Sequence, residues 1–255
     1  GPTLPPPSPR VAAIAEVYEL GVEEFIVKCL KPRQPVVIRG GCGEWPAVGR
    51  WSEVAFWRSE GPRGVGRRTV PVEVDYYNAR HEMMPLRLFV DSFILPESAH
   101  VPNVTGARGG YVAQHSLLSH LEDVLGDDVE TPDVVYMGEE GVVADHVFFG
   151  PSGTVTPVHT DPYHNLLSQV VGRKYLRIFP PEEQQNLYAG GALRNQSALP
   201  PDLTAGVDAG KWPRYSRAQA WDCVLEPGDQ LYLPLGWWHF VKSLSVSISV
   251  AFHFR

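Results

Sequence analysis

The chain has 255 residues, 44% of them apolar and 20% charged, enough to build a sizeable core in one large domain. A net charge of −7 lacks the basic footprint of a general nucleic-acid binder, and no apolar run approaches the roughly 20 residues that cross a bilayer. Three scattered cysteines, Cys29, Cys42 and Cys223, form no C-x-x-C pair. They exclude a disulfide framework and a zinc signature, and point to small buried hydrophobes in a reducing compartment. A soluble intracellular protein, nuclear or cytoplasmic, is therefore expected.

In chain order, residues 1–10 hold five prolines and predict a loose extended leader. Val22, Phe25, Ile26, Cys29 and Leu30 recur at helical spacing and predict an amphipathic helix. Pro35–Arg39 predicts a short buried strand closed by Gly40-Gly41, and Trp45, Trp51 and Trp57 then predict core packing. Thr69–Val74 and Tyr111–Gln114 predict strands. Leu86–Leu95 and Leu117–Leu125 predict helices.

From Val142 onward short apolar or alternating runs dominate: Asp145–Phe149, Thr154–His159, Asn165–Val171, Lys174–Phe179, Trp221–Leu225, Gln230–Leu233 and Ser245–Phe254. Turn signals separate them at Gly150-Pro151-Ser152-Gly153, Gly172 and Glu226-Pro227-Gly228-Asp229. The pattern predicts a mainly β sandwich or barrel over 142–255 behind a helical and mixed shell over 11–141, together one domain over 11–255. It ends on a strand with no helix after it for pairing, so a monomer is expected.

Nine histidines are present, and most such residues are structural or exposed. His159 and Asp161 stand in an i, i+2 relation at a strand end between Pro157 and Pro162, which aims both side chains into one cavity. Alone, that match is unsurprising among nine histidines. His239 follows the turn at 226–229 and the strand Gln230–Leu233. Two histidines and a carboxylate form the facial triad that binds Fe(II) with three positions open, whereas a structural zinc site leaves none.

Both ligand segments resemble the Jumonji-C oxygenases. They run Gly150-Pro151, Thr156-Pro157-Val158-His159-Thr160-Asp161-Pro162, Asn165, Gln169 and Gly172-Arg173-Lys174-Tyr175, then Pro227-Gly228-Asp229, Pro234 and Trp238-His239. The likeness extends to Pro35–Gly40, Trp45-Pro46, Val70–Val74 and Tyr111–His115, and so covers most of the chain. It implies a double-stranded β-helix, the jelly-roll or cupin-like Jumonji-C barrel. It also implies Fe(II), O₂ and 2-oxoglutarate as cofactors, with His159, Asp161 and His239 catalytic as iron ligands.

The same resemblance implies that Lys174 pairs with the distal carboxylate of 2-oxoglutarate, and that Thr156, Asn165 and Tyr111 supply further hydrogen bonds to it. On residues alone, Lys174 could equally be an exposed hairpin lysine. Glu73 and Gln114 match positions that hold a substrate side chain, although Glu73 in the alternating Val70–Val74 run could equally be an exposed edge-strand residue. Phe148 stands near the expected substrate cavity and His253 elsewhere, both where relatives often carry Trp. Neither is expected to touch iron or 2-oxoglutarate. His164 is expected in a surface turn.

The activity so implied is oxidative decarboxylation of 2-oxoglutarate coupled to hydroxylation of a protein or peptide substrate that presents a basic side chain, preferably arginine. Methyl-lysine demethylation shares the machinery. A non-catalytic cupin-like binding module is the reading from another class, and it does not need the full set His159, Asp161, His239 and Lys174.

Overall fold

The computed structural model describes residues 10–62, 64–75, 80–95, 109–190 and 195–255. The Pro-rich leader, Arg10 apart, lies outside the described residues. The N-terminal part supplies β1 (Val11–Ala13), β2 (Glu16–Val17), β3 (Val36–Ile38), β4 (Thr69–Asp75), β5 (Arg80–Pro85) and β6 (Val112–His115). The barrel follows as β7 (Val142–Gly150), β8 (Val155–Thr160), β9 (His164–Val171), β10 (Lys174–Phe179), β11 (Ala220–Leu225), β12 (Gln230–Leu233), β13 (Trp238–Ser243) and β14 (Ser247–Phe254).

Successive barrel strands alternate between two sheets. A seven-stranded sheet runs β2-β3-β12-β9-β14-β7-β6 and a five-stranded sheet runs β1-β11-β10-β13-β8, while β4 and β5 form a hairpin. Except for β10 to β11, every step from β7 to β14 crosses from one sheet to the other. That winding is the double-stranded β-helix expected from the sequence.

Strand periodicity builds three apolar layers. Leu167, Leu176, Ile178, Leu231, Leu233 and Ala251 come from both sheets and meet between them. Their neighbours Leu166, Tyr232, Val250 and Phe252 face outward, where Trp51, Trp57, Leu86 and Phe89 of the N-terminal shell cover them. Val155, Tyr175, Phe179 and Phe240 cover the other sheet together with Leu187, Leu203 and Tyr215. The tryptophans are core, as expected: Trp57 sits edge-on to Trp51 at 5.5 Å and on Phe149 at 5.1 Å.

The predicted helices form, with internal breaks. Val22–Phe25 widens into a π turn over Ile26–Leu30 and buries Phe25 and Cys29. Leu86–Phe89 widens in the same way over Val90–Ile94. Leu117–Leu125 splits at Leu121 into Leu117–His120 and Glu122–Leu125. The strand β13, which carries His239, has no alternating pattern because both its faces are covered. It was not legible as a strand, and neither were β1, β2 and β5.

The turn between β9 and β10 depends on Gly172 at φ +70°, where a Cβ would run into the Val246 carbonyl oxygen. This fixes where Lys174 begins its strand. All three cysteines are buried and free. Among the described residues no helix is long and apolar enough to cross a membrane.

Candidate functional site

Three neighbouring stretches of backbone deliver the central residues. His159 lies near the end of β8, and Asp161 follows in the corner that leads to β9. His239, the second residue of β13, stands directly opposite His159 in the antiparallel ladder. The two rings are 4.1 Å apart between centroids. One ligand atom from each of His159, Asp161 and His239 lies within 4.8 Å of the others, so the trio could hold one metal ion.

The imidazoles are aimed by the backbone. His159 Nδ1 meets the Pro157 carbonyl at 2.9 Å, and His239 Nδ1 meets the Trp237 carbonyl at 3.3 Å. With Nδ1–H donating to those carbonyls, each Nε2 is left bare toward the centre, the tautomer a ligating histidine needs. His159 Nε2 lies 3.9 Å from Asp161 Oδ1, and His239 Nε2 lies 3.6 Å from Asp161 Oδ2. Burial pushes the His239 pKa down to about 3, with His159 adding to the effect, so the ring is neutral. Burial works to raise the Asp161 pKa, but His253 and the two other imidazoles hold it well below the usual carboxylate range. A carboxylate and neutral imidazoles are the states that bind a metal, so the donor set fits Fe(II).

Lys174 opens β10 at the far side of the same cavity and is only 2% exposed. The exposed-hairpin reading is thereby overturned, since β11 and β13 flank β10 on both edges. No carboxylate among the described residues lies within ion-pair distance of its Nζ, and burial pushes its pKa down to about 7. Its ammonium instead lies 5.3 Å from the Phe148 ring and 6.0 Å from the Tyr111 ring. Gly150 makes room for the Tyr111 ring, because a Cβ there would sit 2.6 Å from it.

Tyr111, Gln114, Phe148, Thr156, Asn165 and Lys174 line one cavity together with the three candidate ligands. Leu167, Leu176, Leu231, Leu233 and Val241 complete an apolar wall. The Thr156 hydroxyl bonds to the Tyr111 phenol, and Asn165 Oδ1 is buried with no partner among the described residues. Gln114 lines the cavity from a strained position at φ +50°, inside the irregular β6–β7 pairing. A non-glycine residue in that region is a stored local cost, of a kind that clusters at functional sites.

Glu73 does not line the cavity. It pairs through its backbone with Tyr111, at 2.8 and 3.0 Å, and its carboxylate pushes the Tyr111 phenol pKa further up, after burial. Its influence on the site passes through Tyr111. Two other expectations are corrected. His164 is buried, not in a surface turn: its ring packs nearly parallel to those of Tyr232 and Phe254, and its Nδ1 accepts from the Leu235 amide at 3.2 Å. His253 was expected to stay clear of the iron position, yet its Nε2 lies 3.7 Å from Asp161 Oδ2.

Fold and site together define a cupin-type barrel with a two-histidine, one-carboxylate centre facing a buried lysine. The family model described as "Cupin-like domain" matches residues 22–255. The chain is 35% identical to "Lysine-specific demethylase 8" of Xenopus tropicalis over 94% of its own length and 52% of that protein's. It is 32% identical to "Jumonji C domain-containing protein 5" of Drosophila melanogaster, covering 98% of the chain and 62% of the fly protein. Similarity to human "Bifunctional peptidase and (3S)-lysyl hydroxylase JMJD7" is 30% over 87% of the chain and 77% of the human protein. The chain belongs to the Jumonji-C family of cupin-like domains. It spans about half the length of the frog relative.

Proposed function

We propose that this chain is an Fe(II)- and 2-oxoglutarate-dependent protein hydroxylase acting as one unit over residues 11–255, and that its substrate side chain is arginine. The observation that carries the reading is the placement of His159, Asp161 and His239 across one cavity from a lysine with no carboxylate partner among the described residues. A buried ammonium without an anion is costly, and a dicarboxylate co-substrate supplies that anion. When bound, iron, 2-oxoglutarate and O₂ would supply the oxidising chemistry, with one oxygen atom of O₂ entering the substrate C–H bond and the other entering succinate as CO₂ is released.

The residues of the chain perform the remaining work. Lys174 holds the distal carboxylate, and Tyr111, Thr156 and Asn165 bind the same molecule by hydrogen bonds. Leu167, Leu231 and Leu233 exclude water around it. The Pro157 and Trp237 carbonyls keep both ligand imidazoles aimed. Gln114 and Phe148 take the substrate side, with Glu73 acting behind Tyr111.

Arginine is preferred to methyl-lysine because, among the described residues, no aromatic cage forms around the iron position. Phe148 and Tyr111 face each other at 6.1 Å beside Lys174, where a methylammonium would meet a cation. The names of two kinds of relative, lysine-specific demethylase and lysyl hydroxylase, favour lysine as the second reading. Succinate formation tests the oxygenase reading. Mass spectrometry of matched arginine, lysine and methyl-lysine peptides then separates a gain of one oxygen from a loss of methyl. Without iron-dependent succinate, the non-catalytic cupin-like module replaces this reading.

A further inference from the structure

His164 has no part in the roles given so far. It opens β9, three residues after Asp161. Its ring packs nearly parallel to those of Tyr232 and Phe254, with centroids 5.8 and 5.3 Å away. Held in that plane, its Nδ1 meets the Leu235 amide at 3.2 Å and the Tyr232 hydroxyl at 2.8 Å. A backbone amide can only donate, so Nδ1 is an acceptor and the ring proton sits on Nε2. Burial, with Arg33 adding to the effect, pushes the His164 pKa down to about 4, which keeps the ring neutral.

Leu235 belongs to the tight turn that carries the chain from β12 into β13. The Trp237 amide donates to the Pro234 carbonyl at 3.2 Å, and Gly236 takes φ +82°, as the third of four residues in a type II turn does. The closing bond leaves both central amides of the turn free for other acceptors. Gly236 N–H donates to the Asp161 carbonyl at 3.4 Å, and Leu235 N–H makes the shorter bond to His164. Both bonds end on the corner between β8 and β9 that carries Asp161. The same turn presents the Trp237 carbonyl, which meets His239 Nδ1.

We propose that His164 is a positioning residue for the metal centre: it pins the 234–237 turn to the Asp161 corner and so sets the direction from which His239 meets the ion. The proposal rests on the reading that His159, Asp161 and His239 hold a divalent metal. The influence runs through backbone, from Nδ1 to the Leu235 amide, through the turn to the Trp237 carbonyl, and from there to the His239 ring. Groups behind a ligating histidine fix its tautomer and orientation, and metal affinity follows. Without the imidazole, the partly buried Leu235 amide loses its acceptor, an unfavourable state that the turn can relieve only by shifting.

The test titrates the whole chain with Co(II) alone, without 2-oxoglutarate or peptide, and reads affinity from the visible absorption of the metal. His164→Phe keeps a flat ring against Tyr232 and Phe254 but offers no acceptor. His164→Asn loses the ring, yet its Oδ1 stands where Nδ1 stood. The dissociation constant should rise about tenfold in His164→Phe, the lower end for an outer partner, and stay within about threefold of wild type in His164→Asn. Tyr232→Phe removes the other donor to Nδ1 and leaves the Leu235 tether, so it should stay within the same range. A ring that serves packing alone reverses the order, with His164→Phe near wild type and His164→Asn weakest. Nitrogen-15 spectra of the metal-free wild-type chain should show His164 Nδ1 unprotonated, a reading that does not depend on any variant folding. The reversed order, unchanged affinity in a folded His164→Phe, no recovery in a folded His164→Asn, a loss in Tyr232→Phe equal to that in His164→Phe, or a proton on His164 Nδ1 each overturns the proposal. A wild-type chain that binds no Co(II) at millimolar concentration instead removes the metal reading, and the proposal with it.

Discussion

His239 and His159 are direct cross-strand partners, and their regular pairing ends one residue later. The next paired residues are Val241 and Thr156, so Pro157 and Val158 of β8 oppose Phe240 alone. The bulge accommodates a proline, which has no N–H for the ladder, and its carbonyl is the one that meets His159 Nδ1. A single irregularity thus seats Pro157 and aims a ligand.

If that geometry serves iron, Asp161→Ala and His239→Ala should each lose iron binding and iron-dependent 2-oxoglutarate turnover by at least about a hundredfold. Removing a ligand costs more than removing an outer partner, which itself costs about 10- to 100-fold. Metal analysis and succinate release read the outcome. A variant that keeps near-normal turnover takes its residue out of the centre.

Lys174→Ala should raise the apparent KM for 2-oxoglutarate on the order of a hundredfold or more. Stripping one partner from a buried charge pair costs roughly 3–5 kcal/mol, at about 1.4 kcal/mol per decade. A rise of only a few fold would mean that the distal carboxylate is held elsewhere.

The same lysine predicts a pH dependence of stability. Its folded pKa of about 7 lies below the ordinary lysine value of 10.5 that the unfolded chain keeps. Between those values the unfolded chain binds a proton that the folded chain does not, so stability from this group rises with pH. Below about 7 both states are protonated and the full cost of burial stands. Lys174→Met should therefore be more stable than wild type at neutral pH, with a gap that narrows toward pH 10. Chemical denaturation at pH 7, 8.5 and 10 measures it, and a gap independent of pH contradicts the buried, unpaired lysine.

Arg177, 2% exposed, faces Asp222 across the β10–β11 ladder and donates to both its oxygens at 2.8 Å. Tyr175 donates to the same carboxylate at 2.6 Å. Asp222→Ala leaves a buried guanidinium without its anion and should cost roughly 3–5 kcal/mol, whereas Arg177→Met with Asp222→Leu should cost much less. Urea unfolding of both variants decides. Equal destabilisation would mean that packing, not charge, dominates.

The barrel was readable in the sequence wherever apolar runs end at glycine or proline, and the candidate trio His159, Asp161 and His239 stood out because its members sit in short motifs at strand ends. What could not be read depends on register. The Arg177–Asp222 pair joins residues that no local pattern connects. His164 reads as a turn residue until Tyr232 and Phe254 are known to pack against its ring. The signal for His253 was available: period two places it on the face of Ser249 and Ala251, opposite Val250 and Phe252, and so toward the cavity. For Glu73, alternation gives a face but not the distance to a cavity.

The position of β14 also shapes how the chain reaches its final state. β7 and β9 are close in sequence yet do not pair with each other, because β14 hydrogen-bonds to both and lies between them. Neither strand can complete its ladder until a segment from the far end of the described chain arrives, so loop closure precedes most of the reward. Such long-range pairing sets folding in the slow, millisecond-to-second regime of non-local β topologies. His239 reaches His159 through similarly distant contacts, so the two imidazoles face each other only once β13 has joined β8.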